Sequence, residues 1–178
     1  VGIVIYSKRH DRERVYINKT WLTKTMYTVL SKLKDMHGEF DQKHIQSVLQ
    51  ASDQDIQDLI NIMEDFKIIF KHPASDKFIA PLYLPKIPDD KIGIFLNKDK
   101  LPYRRFDSKG FIHKNIILDI FQNFASTIVS DQYSNNSYYW KDALIIKDPD
   151  TSEIAMIKFS MEEDESNGCI YIYDLSSS

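Results

Sequence analysis

SDQDIQDLINIMEDFKII, residues 52–69, reads as an amphipathic helix that runs directly into a strand. Ser52 stands at the cap position with Asp55 three residues on, the arrangement of a capping box. Ile56, Leu59, Ile60, Met63 and Phe66 recur at i, i+3, i+4, i+7 and i+10, which predicts one buried face. The other face carries Asp53, Asp55, Asp58, Glu64 and Asp65, with no basic residue between Asp53 and Phe66. A helix that enters a DNA groove meets a dense phosphate field, which repels such a row of acids.

Working outward, the flanking segments place this helix in a recognisable order. VGIVIY (1–6) and RVYIN (14–18) are β-rich runs around the charged turn SKRHDRE, which predicts a hairpin. Asn18 or Thr20 can cap a helix whose apolar face is Leu22, Met26, Val29, Leu30 and Leu33, with Gly38 where it should stop. GEF (38–40) predicts a short strand, and Asp41 caps a short helix with Ile45, Val48 and Leu49 inward. FKIIFKH (66–72) and KFIAPLYL (77–84) predict a hairpin around PASD. Helix, short strand, helix, helix, hairpin is the winged-helix order.

PKIPDD (85–90), with two prolines, two acids and no periodicity, is the expected boundary between a winged-helix-like half, 1–86, and an α+β half, 87–178. In the second half KIGIFLN (91–97) and PYRRF (102–106) predict another hairpin. GFIHKNIILDIFQNFAS (110–126) predicts a helix with Ile112, Ile116 or Ile117, Ile120, Phe121 and Phe124 on one side. After the polar loop SDQYSNNS (130–137), YYWKDALIIKD (138–148), EIAMIKFSM (153–161) and GCIYIYDL (168–175) predict an antiparallel meander. The expected fold class is α+β: a winged-helix-like subdomain followed by an antiparallel sheet plus helix.

Composition removes several functional classes. The chain has 178 residues, a net charge of −3 and a pI near 6.0, whereas general polyanion binders are usually basic. One cysteine, Cys169, cannot form an internal disulfide, and a reducing, cytoplasmic setting is expected. The five histidines never pair at ligand spacing. Five scattered glycines exclude the phosphate loops GxxxxGK[ST] and GxGxxG. No apolar run approaches the roughly 20 residues needed to span a bilayer, so no membrane insertion is expected. The acid clusters at Asp89–Asp90 and Glu162–Glu165 lack calcium-loop spacing and read as solvated turns. No catalytic arrangement stands out, and no catalytic, cofactor-binding or metal residue is expected in the chain.

Interface candidates remain. Trp21 opens a helix and reads as a core residue or an interface anchor, core being favoured. Tyr138, Tyr139 and Trp140 form an aromatic cluster in which alternation puts Tyr139 opposite its neighbours. Tyr103, Arg104 and Arg105 stand on a hairpin arm, either as a solvated strand edge or paired with acids of a neighbouring domain.

Taken in order, these segments resemble the COR domain (C-terminal of Roc) of the Roco family of multidomain GTPases. VGIVIYSKRHDRERVYINKTWLTKTMYTVL is similar to the family's strand, charged turn, strand and P-x-W-L helix opening, with Lys19-Thr20 where Pro often precedes the Trp. HGEF, LINIMEDFKIIF and KFIAPLYLP resemble its following elements. LPYRRFDSKGFIHKNIILDIF resembles its L-P-x-x-F-x-x-x-G-[FW] stretch, and YYWKDALII its Y-W-[RK]-x-G strand, with Asp142-Ala143 departing from the pattern.

The resemblance implies a non-catalytic dimerisation and coupling module. Its first half, COR-A, would pack against a Roc GTPase domain in cis, and its second half, COR-B, would pair with a second copy. GTP or GDP with Mg would be held by Roc, and leucine-rich repeats and a serine/threonine kinase accompany Roc in family members. Tyr139 and Trp140 match the family's Y-W pair near the Roc-facing surface, and Trp21 joins them as a Roc-facing candidate. Tyr103, Arg104 and Arg105 are candidates for another interface. The rival readings are a winged-helix nucleic-acid-binding module and a regulatory arm of another NTPase. No nucleic acid partner is expected on the charge argument. Members have helices before the first strand and after the last, so the chain reads as a fragment of a longer protein.

Overall fold

A computed structural model describes residues 5–9, 12–16, 19–33, 35–72, 75–96, 101–109, 112, 114–130, 137–161 and 167–176. Several expected features lie outside these residues: strand residues 1–4, the Asn18 cap, Gly110 and Phe111, and most of the loop 130–137 and of the turn EEDESN. The described elements mix helix with antiparallel sheet, an α+β chain.

β1 (Ile5–Arg9) and β2 (Arg12–Tyr16) pair antiparallel from Ile5↔Tyr16 to Arg9↔Arg12. The ladder therefore runs into the charged residues expected as a turn, because backbone pairing does not need apolar side chains. α1 (Lys19–Leu33) follows, with Thr20 inside the helix rather than capping it, and buries Leu22, Val29 and Leu33. It ends where Gly38 donates its N–H to the Leu33 carbonyl at 2.9 Å, with His37 and Gly38 both left-handed.

β3 (Glu39–Phe40) leads to Asp41, whose carboxylate accepts the His44 N–H at 2.9 Å while His44 Nδ1 accepts the Asp41 N–H. That reciprocal pair starts α2 (Gln42–Val48). Ser52 caps α3 (Asp53–Asp65), its hydroxyl oxygen accepting the Asp55 N–H at 3.2 Å and its hydrogen pointing to the Asp55 carboxylate. Ile56, Leu59, Ile60 and Met63 are buried as the spacing predicts, and so is Ile62.

Phe66 is a correction: it is 56% exposed. α3 closes at Asp65, Lys67 turns left-handed at φ 58, and Ile68 donates back to the Met63 carbonyl. The i+10 position thus falls beyond the helix, and Ile69 enters the core in its place.

β4 (Phe70–Lys71) and β5 (Phe78–Ile79) complete a three-stranded sheet of order β3-β5-β4, with Ile79 opposite both Glu39 and Phe70. These strands are shorter than expected. The end of α3 consumes residues 66–69, and Pro81, without an N–H to continue a ladder, opens a 3-10 turn over Pro81–Tyr83.

The second half departs most from expectation. Residues 91–95, expected as part of a strand, belong to a helix, α4 (Asp89–Phe95). Asp89 and Asp90 in its first turn favour the positive end of the helix dipole. Ile92, Phe95 and Leu96 share the packed side at helical spacing while Ile94 is 68% exposed. β6 (Arg104–Lys109) therefore pairs with the last strand rather than with 91–97. α5 (Lys114–Phe124) buries Ile117, Leu118 and Phe121; Ile116 and Phe124 lie toward solvent.

YYWKDALIIKD is not one strand. It folds at Lys141-Asp142 into β7 (Tyr139–Trp140) and β8 (Ala143–Lys147). Asp142 holds that turn: its carboxylate accepts the Ile87 N–H at 2.8 Å and its carbonyl accepts the Phe159 N–H at 2.8 Å. β9 (Ile154–Met161) and β10 (Asn167–Asp174) finish an antiparallel sheet of order β6-β10-β9-β8-β7.

One core joins the halves. Phe70, Ile79 and Leu84 pack with Ile112, Ile117, Phe121, Tyr139, Leu144, Ile157 and Phe159. On the opposite face of the sheet, Ile87 and Leu96 cover Ala143, Ile145 and Met156. The segment 85–90 lies along this second cluster, with the Pro85 carbonyl accepting the Lys141 N–H at 2.8 Å.

Candidate functional site

Polar groups rim the shared core where the two halves meet. The end of α1 and β3 deliver Glu39, the β4–β5 hairpin delivers His72 and Lys77, and β7 delivers Tyr139. The Tyr139 hydroxyl donates to one Glu39 carboxylate oxygen at 2.7 Å, and Lys77 donates to the other at 3.2 Å. His72 Nε2 lies 2.9 Å from the Ser137 hydroxyl, which is 2.8 Å from that of Ser130. The His72 ring meets Tyr139 edge-on. On the outer side of the rim, Lys67 at the end of α3 pairs with Asp119 of α5.

Burial sets the electrostatics. Tyr139 is buried, and burial together with the Glu39 carboxylate pushes its phenol well above the ordinary value. Burial also lowers His72 from its ordinary value of 6.5; Glu39 opposes that shift and Lys77 adds to it. The folded chain therefore binds the His72 proton more weakly than the unfolded chain does. The associated stability is complete above the ordinary value and is lost as pH falls through the lower folded value. Urea unfolding near pH 7.5 and near pH 5 should show a larger acid loss for the wild type than for His72→Gln. Equal losses in the two would remove His72 from the acid response.

The residues singled out from sequence fall in separate places. Tyr139 is internal, with Phe70 and Phe121 in its core, while Trp140 packs on the other face beside Phe95 and Tyr138. This alternation is the one expected for the strand. Trp21 is 39% exposed on α1, one position off the Leu22 stripe, and so is not the core residue favoured from sequence.

Tyr103, Arg104 and Arg105 stand together at the opposite edge of the sheet from β7. Arg104 lies over the Tyr103 ring at 5.2 Å. Arg105 bonds Asp107 at 2.6 Å within its own strand and lies over Tyr171 at 5.6 Å. The Cys169 thiol donates to the same Asp107 oxygen at 3.0 Å, and with Arg105 it holds that carboxyl below its ordinary value.

Sequence reasoning missed Glu39, His72, Lys77 and Ser137, which are distant in the chain and carry no motif. Phe106 and Tyr171 fell on expected strands, while Asp107 lies one residue past the expected end of PYRRF. Among the described residues no group of three His, Cys, Asp or Glu side chains could hold a metal, and no helix is long and apolar enough to cross a membrane.

The arrangement offers surfaces and a packed connection between halves. The family model that matches is that of the C-terminal of Roc, COR-A domain, over residues 1–84. Residues 1–84 belong to the COR-A family. A COR-A domain is a non-catalytic module that accompanies the Roc GTPase domain in Roco proteins, and residues 1–84 match such a Roc-associated regulatory module. The matched COR-A residues include β1 to β5, α3 with its acidic face, and Glu39, His72 and Lys77 of the seam. A comparison with curated proteins returned no significant match.

Proposed function

We propose that the chain is the dimerising and coupling module of a Roco-type GTPase. In this reading residues 1–86 are a winged-helix-like COR-A portion that packs on Roc in cis, and 87–178 are a COR-B portion that pairs with a second copy. The nucleotide and its Mg ion are bound by Roc, and the state of Roc passes through this chain to the partner subunit or to a downstream kinase, in the cytoplasm. Trp21 and Trp140 are the Roc-facing candidates that reach the surface of the halves; Tyr139 supports Trp140 from within.

The observation that carries the reading is the shared core behind a COR-A match. A push on the first half is borne by Phe70, Ile79 and Leu84, which are packed directly on α5 and the five-stranded sheet. Close-packed interiors transmit displacement rather than absorb it. The order α1-β3-α2-α3-β4-β5 with sheet order β3-β5-β4 supports the winged-helix comparison. The acids of α3 weigh against duplex binding by that unit.

The test uses a chain extended upstream to include Roc. Hydrogen exchange is followed in residues 37–41, 68–84 and 137–146 with GDP and with a non-hydrolysable GTP analogue. Coupling predicts nucleotide-dependent protection in both halves. Identical exchange in the two states would reject it, and tight duplex DNA binding with a steep salt dependence would favour the nucleic-acid reading instead.

A further inference from the structure

α5 ends at Phe124, and past that end the sheet face it covers lies open. By register, Ile146, Ala155 and Asp174 form a row across β8, β9 and β10, with Ile172 in the next row. Leu144 and Ile157, farther along the same face, are buried with Phe121 of α5, whereas Ile146, Ala155 and Ile172 are only partly buried. Tyr103 and Phe124, 69% and 36% exposed, wall the space, and the groove holds about 480 Å3. It is hollow because Ala155 carries a single methyl group between Ile146 and Asp174. Clefts of roughly 300–1,000 Å3 with mainly apolar linings are the usual form of binding sites, and an exposed apolar patch rimmed by polar groups marks an interaction surface.

The charge on the rim identifies the occupant. Asp148, Asp150 and Glu153 lie at the turn between β8 and β9, and Asp174 stands at the end of β10. The Thr151 and Asp150 N–H groups each donate to the Asp148 carboxylate at 2.8 Å and hold it below its ordinary value, so it stays ionised. Two cations are near. Lys147 borders the groove, but its cross-strand partner Ile154 packs in the cluster on the other face of the sheet. Arg104, opposite Ile172, lies over the Tyr103 ring at 5.2 Å. The acids outnumber these cations, and the rim is negative. Among the described residues no buried side-chain polar atom lacks a hydrogen-bond partner, so polar recognition falls to the rim alone. An apolar hollow inside an anionic rim is complementary to an apolar anchor flanked by cations.

We infer that the groove between the end of α5 and the β8–β9 turn docks a peptide segment in which an apolar anchor is flanked by lysines or arginines. The anchor enters over Ala155 against Ile146, Ile172 and Phe124, and the flanking cations meet the acids of the turn and Asp174. The site lies beyond the matched residues 1–84 and stands apart from the Roc and homodimer readings. Removal of apolar surface from water holds the anchor. The rim steers the encounter, so association weakens as salt rises.

The probe is fluorescein-labelled Arg-Arg-Leu-Leu-Arg-Arg, titrated with the 178-residue chain and followed by anisotropy. Saturable binding is expected. It should be at least tenfold tighter than for Arg-Arg-Ser-Ser-Arg-Arg, which keeps the charge without the anchor, or for Glu-Glu-Leu-Leu-Glu-Glu, which reverses the charge. Ala155→Leu fills the hollow and should weaken binding at least tenfold, and so should Asp150→Lys combined with Glu153→Lys. Asp53→Lys combined with Asp58→Lys, on the acidic face of α3, should leave binding unchanged. Circular dichroism follows folding, and the exposed turn pair carries the test by itself if Ala155→Leu misfolds. The assignment is overturned if the folded wild type shows no saturable binding, or if the serine probe binds as tightly as the leucine probe. Binding that ignores the groove variants, or that follows the acids of α3 instead, overturns it as well.

Discussion

Phe121→Ala is expected to lower the unfolding free energy by about 3–5 kcal/mol, the range for deleting a buried aromatic ring. Phe121 has no exposed surface, and its ring lies between Phe70 of the first half and Phe159 of the sheet, with centroids 6.0 and 6.2 Å away. Removing it takes away the transfer term and leaves a cavity that three rigid elements cannot easily collapse around. In thermal unfolding this corresponds to a fall of roughly 10 °C for a chain of this size. The more telling result is cooperativity. Because Phe121 is shared, near-ultraviolet dichroism and the fluorescence of Trp21 and Trp140 should report one common transition. A variant in which the Trp21 signal keeps its wild-type midpoint while that of Trp140 drops would show that the halves unfold independently, and the shared-core argument would fail.

What could be read from the chain depended on how local the deciding physics was. The caps were legible because Asp41 and Ser52 act on N–H groups three residues away. The inward faces of α1 and α3 were legible because the core lies on one side of each. The misreadings occur where a distant element decides. KIGIFLN alternates well enough for a strand, and only the apolar surface of Ala143, Ile145 and Met156 makes the helical face Ile92, Phe95 and Leu96 the better fit. YYWKDALII looked continuous because the feature that bends it, Asp142 holding the Ile87 N–H, lies 55 residues from its partner.

Phe66 kept its helical spacing but lost its helix, since a left-handed Lys67 redirects the chain. The seam was hidden for the same reason: Tyr139 and Glu39 meet across 100 residues. Asp107, the partner of Arg105, lies just past the expected end of PYRRF, because the strand that prolongs β6 is β10, far along the chain.

Gly38→Ala carries the second large effect. Gly38 sits at φ 77, where an L side chain costs about 1–2 kcal/mol. An added Cβ would also lie 2.8 Å from the Leu84 nitrogen, 2.9 Å from the Ala80 oxygen and 2.9 Å from the Tyr83 carbonyl carbon. All three are backbone atoms of the turn that ends the first half, so no side chain can swing aside. The Gly38 carbonyl also accepts the Ala80 N–H at 2.8 Å, which fixes the approach. Overpacking of this kind adds roughly 1–3 kcal/mol, and the substitution should cost about 3 kcal/mol in all.

Two comparisons separate strain from crowding. Gly38→Asn should be milder if φ dominates, because asparagine tolerates the left-handed region, and should match or exceed alanine if the clash dominates. Gly93→Ala, in α4 with open space around it, should be neutral or slightly stabilising. Equal, small effects of Gly38→Ala and Gly93→Ala in urea unfolding would mean that the 80–84 turn moves freely. A turn that moves freely could not carry displacement from COR-A to the sheet behind it.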